Sequence, residues 1–315
     1  MKTANTKDRN TPPTAPKQLH PRNIHTHGYD FAALAQGAPE LADFIHTNAQ
    51  GNPGIDYSNP AAVVALNQAL LACDYGIQHW RIPPGALCPP IPGRADYVHT
   101  LAELLGCRPP GDVLAARAHT NSQPAIRLLD IGTGFNGIYA LLAAKVYGWE
   151  VVACDINEAA IANVGEILQA NAPWAGRISL RHQQDKHQIF EGIIKPGESY
   201  DVSMCNPPFH PSAEVAKKAN QRKRHNLGQR GNAPLNFGGT ADELWCNGGE
   251  KLFLKKMAKE SHTFSDQCKL FTSLVSDQAN LKPTEKVLRK LGAKEISVHN
   301  MHQGNKKTRI LSWRF

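Results

Sequence analysis

The segment Leu128-Leu129-Asp130-Ile131-Gly132-Thr133-Gly134-Phe135-Asn136-Gly137 restricts this 315-residue chain more than any other stretch. A short apolar run, a G-x-G-x-x-G turn and a helical pattern reaching Tyr147 make the opening unit of a strand–helix–strand crossover. The alternation continues downstream. Residues 150–154 read as a strand, and Asn157 as the cap of a helix reaching about Gln169. Further short strands are predicted over 178–181, 201–205 and 269–275, with helices over 249–259 and 283–291. Residues 295–299 and 309–313 read as a closing antiparallel pair. This order predicts an α/β fold: a mostly parallel, Rossmann-like sheet covered on both faces.

The chain before Pro124 has another texture. Residues 1–22 carry Lys2, Lys7, Arg9, Lys17 and Arg22 against the single acid Asp8, with several prolines, and are expected to form a mobile basic tail. Residues 23–120 are expected to form a mainly helical module packed on the catalytic domain, which runs from 121 to 315. In the module, Asn59-Pro60 starts a helix over 61–71, and a second runs over 96–105 and stops at Gly106. The intervening stretch 82–94 reads as too proline-rich for a regular element, and 107–124 as a polar linker.

A glycine turn with an acid at the end of the next strand, Asp155, fits two ligand classes. Both a dinucleotide and S-adenosylmethionine (SAM) need backbone close to the ligand and a carboxylate for ribose hydroxyls. Asp130 separates them, because a carboxylate two residues before Gly132 repels a pyrophosphate and suits the amino end of SAM. Gly132, Thr133 and Gly134 then form the cofactor cradle. A nicotinamide-dependent oxidoreductase remains the non-transferase alternative.

The decisive tetrapeptide is Asn206-Pro207-Pro208-Phe209, directly after the strand 201–205. An exocyclic adenine amine is a poor nucleophile because its lone pair is delocalised into the ring. The Asn206 carboxamide oxygen and the Pro207 carbonyl can accept its two hydrogens. Phe209 offers a face on which a base stacks, and Pro207 and Pro208 stiffen the loop before reaction. The chemistry calls for no metal, since a sulfonium is already a good leaving group.

A SAM turn followed by N-P-P-F resembles the amino-methyltransferases that act on adenine N6, cytosine N4 or a glutamine amide. More closely, the chain resembles the ribosomal RNA large subunit methyltransferase F family and its eukaryotic methyltransferase-like relatives. The matching segments are 89–99 (PPIPGRADYVH), 130–137, 205–209, Phe237–Thr240 with Gly248–Glu250, and 303–315. The resemblance implies a class I SAM-dependent methyltransferase fold and transfer to adenine N6 of 23S rRNA. It implies Arg94 against the SAM carboxylate, Asp155 at the ribose, and Gln184–His187 bordering the cofactor's adenine. Protein glutamine-amide and DNA adenine-N6 methylation stay open as alternatives on chemistry alone.

Charge bears on the partner. The chain has a formal charge of +8 and a pI near 9.1, which favours a polyanion. Within a basic loop over 211–236, Lys217, Lys218, Arg222, Lys223, Arg224 and Arg230 occur with no acid among residues 217–230, just after Phe209. Phosphate contact is the natural role, extended by Lys306, Lys307 and Arg309. The expected partner is 23S rRNA or a large-subunit assembly intermediate, met by a monomer. Seven cysteines stand singly without any C-x-x-C pair, which argues against a disulfide framework or zinc finger. No apolar run approaches the ~20 residues of a membrane span, and no signal segment is visible, so a cytoplasmic chain is expected.

Overall fold

The computed structural model describes residues 19–109, 125–172, 174–208, 246–303 and 306–315, with backbone only for 302, 303, 306 and 307. Seven strands form one sheet in the order β5-β4-β3-β6-β7-β9-β8. They are β3 Arg127–Ile131, β4 Glu150–Asp155, β5 Ile178–His182, β6 Val202–Cys205, β7 Phe271–Val275, β8 Glu295–Gln303 and β9 Lys306–Arg314. The first five run parallel, and β9 is antiparallel to both β7 and β8. A separate hairpin, β1 Ile45–Thr47 with β2 Pro53–Ile55, lies in the N-terminal region and carries no strand pattern of its own in the sequence.

Seven α-helices are described: α1 Phe31–Gly37, α2 Pro60–Tyr75, α3 Ile91–Leu104, α4 Ile138–Tyr147, α5 Glu158–Ala170, α6 Gly249–Thr263 and α7 Leu281–Lys290. Among them no helix is long and apolar enough to cross a membrane. Alternate residues of a strand face opposite sides, and the sheet is apolar on both. Leu128, Val151, Ala153, Val202 and Met204 join one core with α2, α3 and α4. Leu129, Ile131, Val152 and Cys205 join the other with α6 and α7.

The predicted elements of the α/β part are all present, with ends shifted by a few residues. The proline-rich stretch needs a correction. Residues 91–94 are helical, because α3 begins at Ile91 with Pro92 in its first turn, where a missing N–H costs nothing. Arg94 therefore projects from a helix. The tail boundary also moves. The His20 N–H donates to Asp96 Oδ1 at 3.0 Å, Arg22 Nη1 to the Cys107 carbonyl at 2.9 Å, and Asn23 Nδ2 to the Pro92 carbonyl at 2.8 Å. Residues 20–23 thus grip α3 at both ends; residues 1–18 lie outside the described residues.

The N-terminal residues share the sheet's own core. Trp80, almost fully buried, donates its indole N–H to the Asn136 carbonyl at 2.8 Å, tying the loop before α3 to the glycine turn. Glu250 is buried at the start of α6. Its carboxylate accepts from Ser276 N (2.7 Å), Ser276 Oγ (2.6 Å), Asp277 N (3.0 Å) and Asn280 Nδ2 (2.7 Å), fastening α6 to the end of β7. Glu250→Ala strands these donors away from their acceptor and is expected to cost about 3 kcal/mol, lowering the thermal midpoint by several degrees. An unchanged midpoint in thermal denaturation would show that the carboxylate fastens nothing.

Candidate active site

Strand register assembles the site. Ile131 pairs with Cys154 on one side and with Cys205 on the other. The residues that follow, Gly132, Asp155 and Asn206, therefore leave three neighbouring strands at one level, with about 4.8 Å from strand to strand. Chain order reverses between β3 and β6, since β4 and β5 lie to one side and β6 and β7 to the other. Crevices at such a reversal, beyond the carboxyl ends of the strands, are where open parallel sheets take ligands.

The crevice here is a pocket of about 700 Å³, lined by Arg94, Gly132, Thr133, Gly134, Asp155, Asn206 and Pro208 among others. Of the proposed cofactor and catalytic residues, Asp130 and Pro207 are not part of its lining, and Phe209 lies outside the described residues. Gln183, Lys186, His187, Gln188 and Ile189 also line it, whereas Gln184 and Asp185 do not. Of the expected 184–187 stretch, Lys186 and His187 thus reach the pocket wall, joined there by Gln183, Gln188 and Ile189.

The glycine turn is held from behind. Gly132 and Thr133 both donate backbone N–H groups to the Cys154 carbonyl at 2.9 Å. Gly134 donates to Asp155 Oδ2 at 2.8 Å, while Asp155 Oδ1 accepts from Asn157 N at 2.9 Å. Asp155 is thereby both the brace of the turn and a wall of the pocket. The glycines are required at this point: Gly132 and Gly134 have φ of 74° and 63°. At Gly137, φ 57°, a Cβ would lie 3.0 Å from Val164.

Charge at the site is unbalanced in an informative way. Arg94 is only 8% exposed, and its Nη1 donates to the Tyr139 hydroxyl at 2.8 Å with the guanidinium over that ring. No carboxylate among the described residues pairs with it. Asp130 is 0% exposed, and its carboxylate has no ionic partner and no well-formed hydrogen bond, the Thr133 hydroxyl and the Ala140 N–H being its nearest donors. Burial, with the negative Asp155 nearby, pushes its carboxyl up to about 7. Among the described residues, the other buried side-chain oxygens without a hydrogen-bond partner are Thr133 Oγ1, Ser203 Oγ and Asn206 Oδ1. All of these orphans belong to β3, β6 or the turns that follow them. Buried polar atoms are nearly always paired, and two of these, Thr133 Oγ1 and Asn206 Oδ1, belong to residues lining the pocket, where ligand atoms could meet them.

Sequence reasoning missed two walls. Tyr139, which steadies Arg94, is hidden in an apolar helix as one more core aromatic. The other is α6, whose Leu252, Phe253, Lys255, Lys256 and Lys259 line the pocket. Their spacing along a helix was readable, but not which side of α6 faces the crevice. Of the basic residues assigned to nucleic acid, Lys217, Lys218, Arg222, Lys223, Arg224 and Arg230 lie outside the described residues, as do the side chains of Lys306 and Lys307. Arg309 donates to Gln278 Oε1 at 2.9 Å.

Comparison with known proteins is consistent from end to end. Residues 14–315 match the profile of a family described as RNA methyltransferase. Ribosomal RNA large subunit methyltransferase F of Saccharophagus degradans is 52% identical over 322 residues, covering 100% of this chain and 99% of the relative. The protein of that name from Shewanella oneidensis is 51% identical over 306 residues, covering 95% and 81%. Among solved structures, the METTL16 catalytic domain in complex with the MAT2A 3'UTR hairpin 1 superposes with a TM-score of 0.79 at 27% identity, over 95% of this chain and 96% of that one. The N-terminal domain of human METTL16 in complex with SAH shares the fold, with a TM-score of 0.74 at 24% identity over 95% and 99%.

The Asp130 carboxyl yields a test of site electrostatics. Its folded value near 7 exceeds the ordinary 3.8, so between about pH 4 and 7 the folded chain keeps a proton that the unfolded chain has shed. Stability of the ligand-free protein therefore falls as pH rises through that window. Asp130→Asn is expected to gain on the wild type steadily from pH 4 to 7 in urea denaturation series. A difference that does not vary with pH would mean the carboxyl ionises normally.

Proposed function

From the premise that this chain belongs to the RNA methyltransferase family, we propose that it methylates the exocyclic N6 of an adenine in 23S rRNA, with SAM as the donor. The observation that carries the reading is Asn206 Oδ1. It is a buried carboxamide oxygen without a hydrogen-bond partner, on a residue lining the same pocket as the glycine turn.

SAM, when bound, supplies an electrophilic methyl on a sulfonium whose bond to sulfur breaks as the new bond to nitrogen forms. The residues fit such a molecule. Its methionine end carries a carboxylate and an ammonium, and the site offers one buried guanidinium and one buried carboxylate without ionic partners, Arg94 and Asp130. Arg94, already oriented by Tyr139, receives the carboxylate in a fork geometry that lysine cannot reproduce. Asp130 sits behind the turn as the negative counterpart of the ammonium. Asp155 accepts backbone N–H groups of the turn and of Asn157 on its two oxygens and lines the pocket, where its carboxylate would meet the ribose hydroxyls.

On the substrate side Asn206 Oδ1 accepts one amine hydrogen and the Pro207 carbonyl the other, which orients the nitrogen lone pair toward the methyl group. Pro207 and Pro208 limit the loop's freedom, so little orientation entropy is lost at reaction. Phe209 then stacks on the base. An adenine inside a duplex cannot reach this depth, so the target is unpaired or flipped out.

Asn206→Ala is expected to lower methyl transfer to rRNA by at least about 100-fold while SAM affinity stays within a few-fold. Equal losses in both would remove Asn206 from the substrate side. Arg94→Lys is expected to weaken SAM binding about tenfold in calorimetry; undiminished binding would take the carboxylate away from Arg94. The reaction itself is tested by mass spectrometry of rRNA nucleosides from cells with and without this protein. Loss of one N6-methyladenosine per 23S rRNA is expected. An unchanged nucleoside profile, or labelling of DNA or of a release factor in its place, would overturn the proposal.

A further inference from the structure

Helix α6 stands at the mouth of the pocket with its two acids turned to structural work. Glu250 is buried in the hydrogen bonds to residues 276–280, and Glu260 Oε2 accepts from the N–H groups of Ile189 and Phe190, both at 2.8 Å. The helix is thus pinned at one end to the strand-end corner beyond β7 and at the other to the loop that borders the pocket.

Its lysines are treated differently. Lys251, Lys255 and Lys259 recur every four residues, about 6 Å per step along the axis. Lys251 and Lys259 are exposed and Lys255 is half-buried, and no ion pair among the described residues involves any of the three. Lys256 alone faces an acid, Glu260, across 4.0 Å. Like charges four apart on a helix repel one another, so the row is a standing cost in the free protein unless an anion joins it. Lys255, Lys256 and Lys259 line the pocket itself, beside Leu252, which is 51% exposed.

Two anions come near such a mouth. The carboxylate of the methyl donor is matched by Arg94, on α3, which packs in the core on the opposite face of the sheet from α6. The other anion is the RNA backbone. A base held in the pocket hangs on a short sugar–phosphate tether, so the phosphates flanking it must lie at the mouth. We infer that Lys251, Lys255 and Lys259 of α6 form a phosphate rail for the RNA strand that flanks the target adenine. This inference rests on the RNA reading above. The spacing of the rail is comparable to the step between successive phosphates, and its cations are free of acids that would compete. The exposed Leu252 gives a neighbouring sugar or base an apolar surface.

The test measures equilibrium binding of an unmodified 23S rRNA fragment by wild type and by Lys255→Ala/Lys259→Ala at a series of salt concentrations. SAH affinity and single-turnover methyl transfer at saturating RNA are followed in parallel. Loss of two phosphate contacts is expected to weaken RNA binding about tenfold and to make the log–log salt slope shallower by about 1.4. RNA affinity should fall about tenfold further than SAH affinity, and an unchanged thermal midpoint reports that the variant is folded. The control is Lys286→Ala/Lys290→Ala on α7, whose exposed cations line no part of this pocket. Unchanged RNA affinity and slope in the α6 variant would overturn the rail. So would an equal loss in the α7 control, or a drop in SAH affinity as large as the drop in RNA affinity. The binding arm needs no chemistry. A wild type that binds the RNA with the steeper slope the variant loses, yet transfers no methyl to it, would sink the proposed reaction and leave the rail standing.

Discussion

The hydrogen bonds that lock Ile131 against Cys154 on one side and Cys205 on the other set the level at which three chain segments leave the sheet. A slip of one residue on either side would turn the alternating core residues of that strand to the wrong face. Because both faces are packed, with Leu128 in one core and Leu129 in the other, such a slip is costly, and the register is stiff. The turn at 132–134, the brace at Asp155 and the carboxamide of Asn206 inherit that stiffness. Their mutual placement is thus a property of the core more than of the loops.

Stiffness lets the site keep groups that a relaxed protein would neutralise. A buried carboxylate and a buried guanidinium, each without a counter-ion, are both unfavourable. Asp130 responds by shifting its carboxyl up to about 7, and Arg94 by resting on the Tyr139 ring and hydroxyl. Neither can move to a better partner, since the strand and helix that carry them are fixed by packing. Orphaned charges of opposite sign at one sheet end are what a zwitterionic amino-acid tail would complete.

Two parts of the chain far from the glycine turn in sequence close the pocket. Helix α3 brings Arg94 and is gripped at both ends by residues 20–23, so the start of the described chain bears indirectly on the cofactor side. Helix α6 brings the opposite wall and is held by Glu250 and Glu260, each accepting backbone N–H groups from a separate loop. A substitution in residues 20–23 or 276–280 can therefore disturb a site it never touches, by letting one wall drift.

Much of this was legible in order along the chain. The parallel sheet, the glycine turn with its distant acid, and the N-P-P-F after a strand all rest on local rules: alternation of apolar periods, glycine's tolerance of positive φ, and the chemistry of a carboxamide beside an amine. Those rules act within about ten residues, so a single sequence displays them. They misjudged residues 91–94, where Pro92 sits in the first turn of a helix and takes Arg94 with it, and the tail boundary, where His20 and Arg22 find partners more than 70 residues away. They could not say which side of α6 faces the crevice, that Glu250 and Glu260 are spent on backbone donors, or that Asp130 is sealed behind the turn it precedes. Such facts depend on which surfaces meet when distant segments pack, and packing is decided by the whole core at once. The sequence by itself determined the chemistry on offer; only the tertiary structure decided which charges were left without partners, and so where a ligand has something to bind.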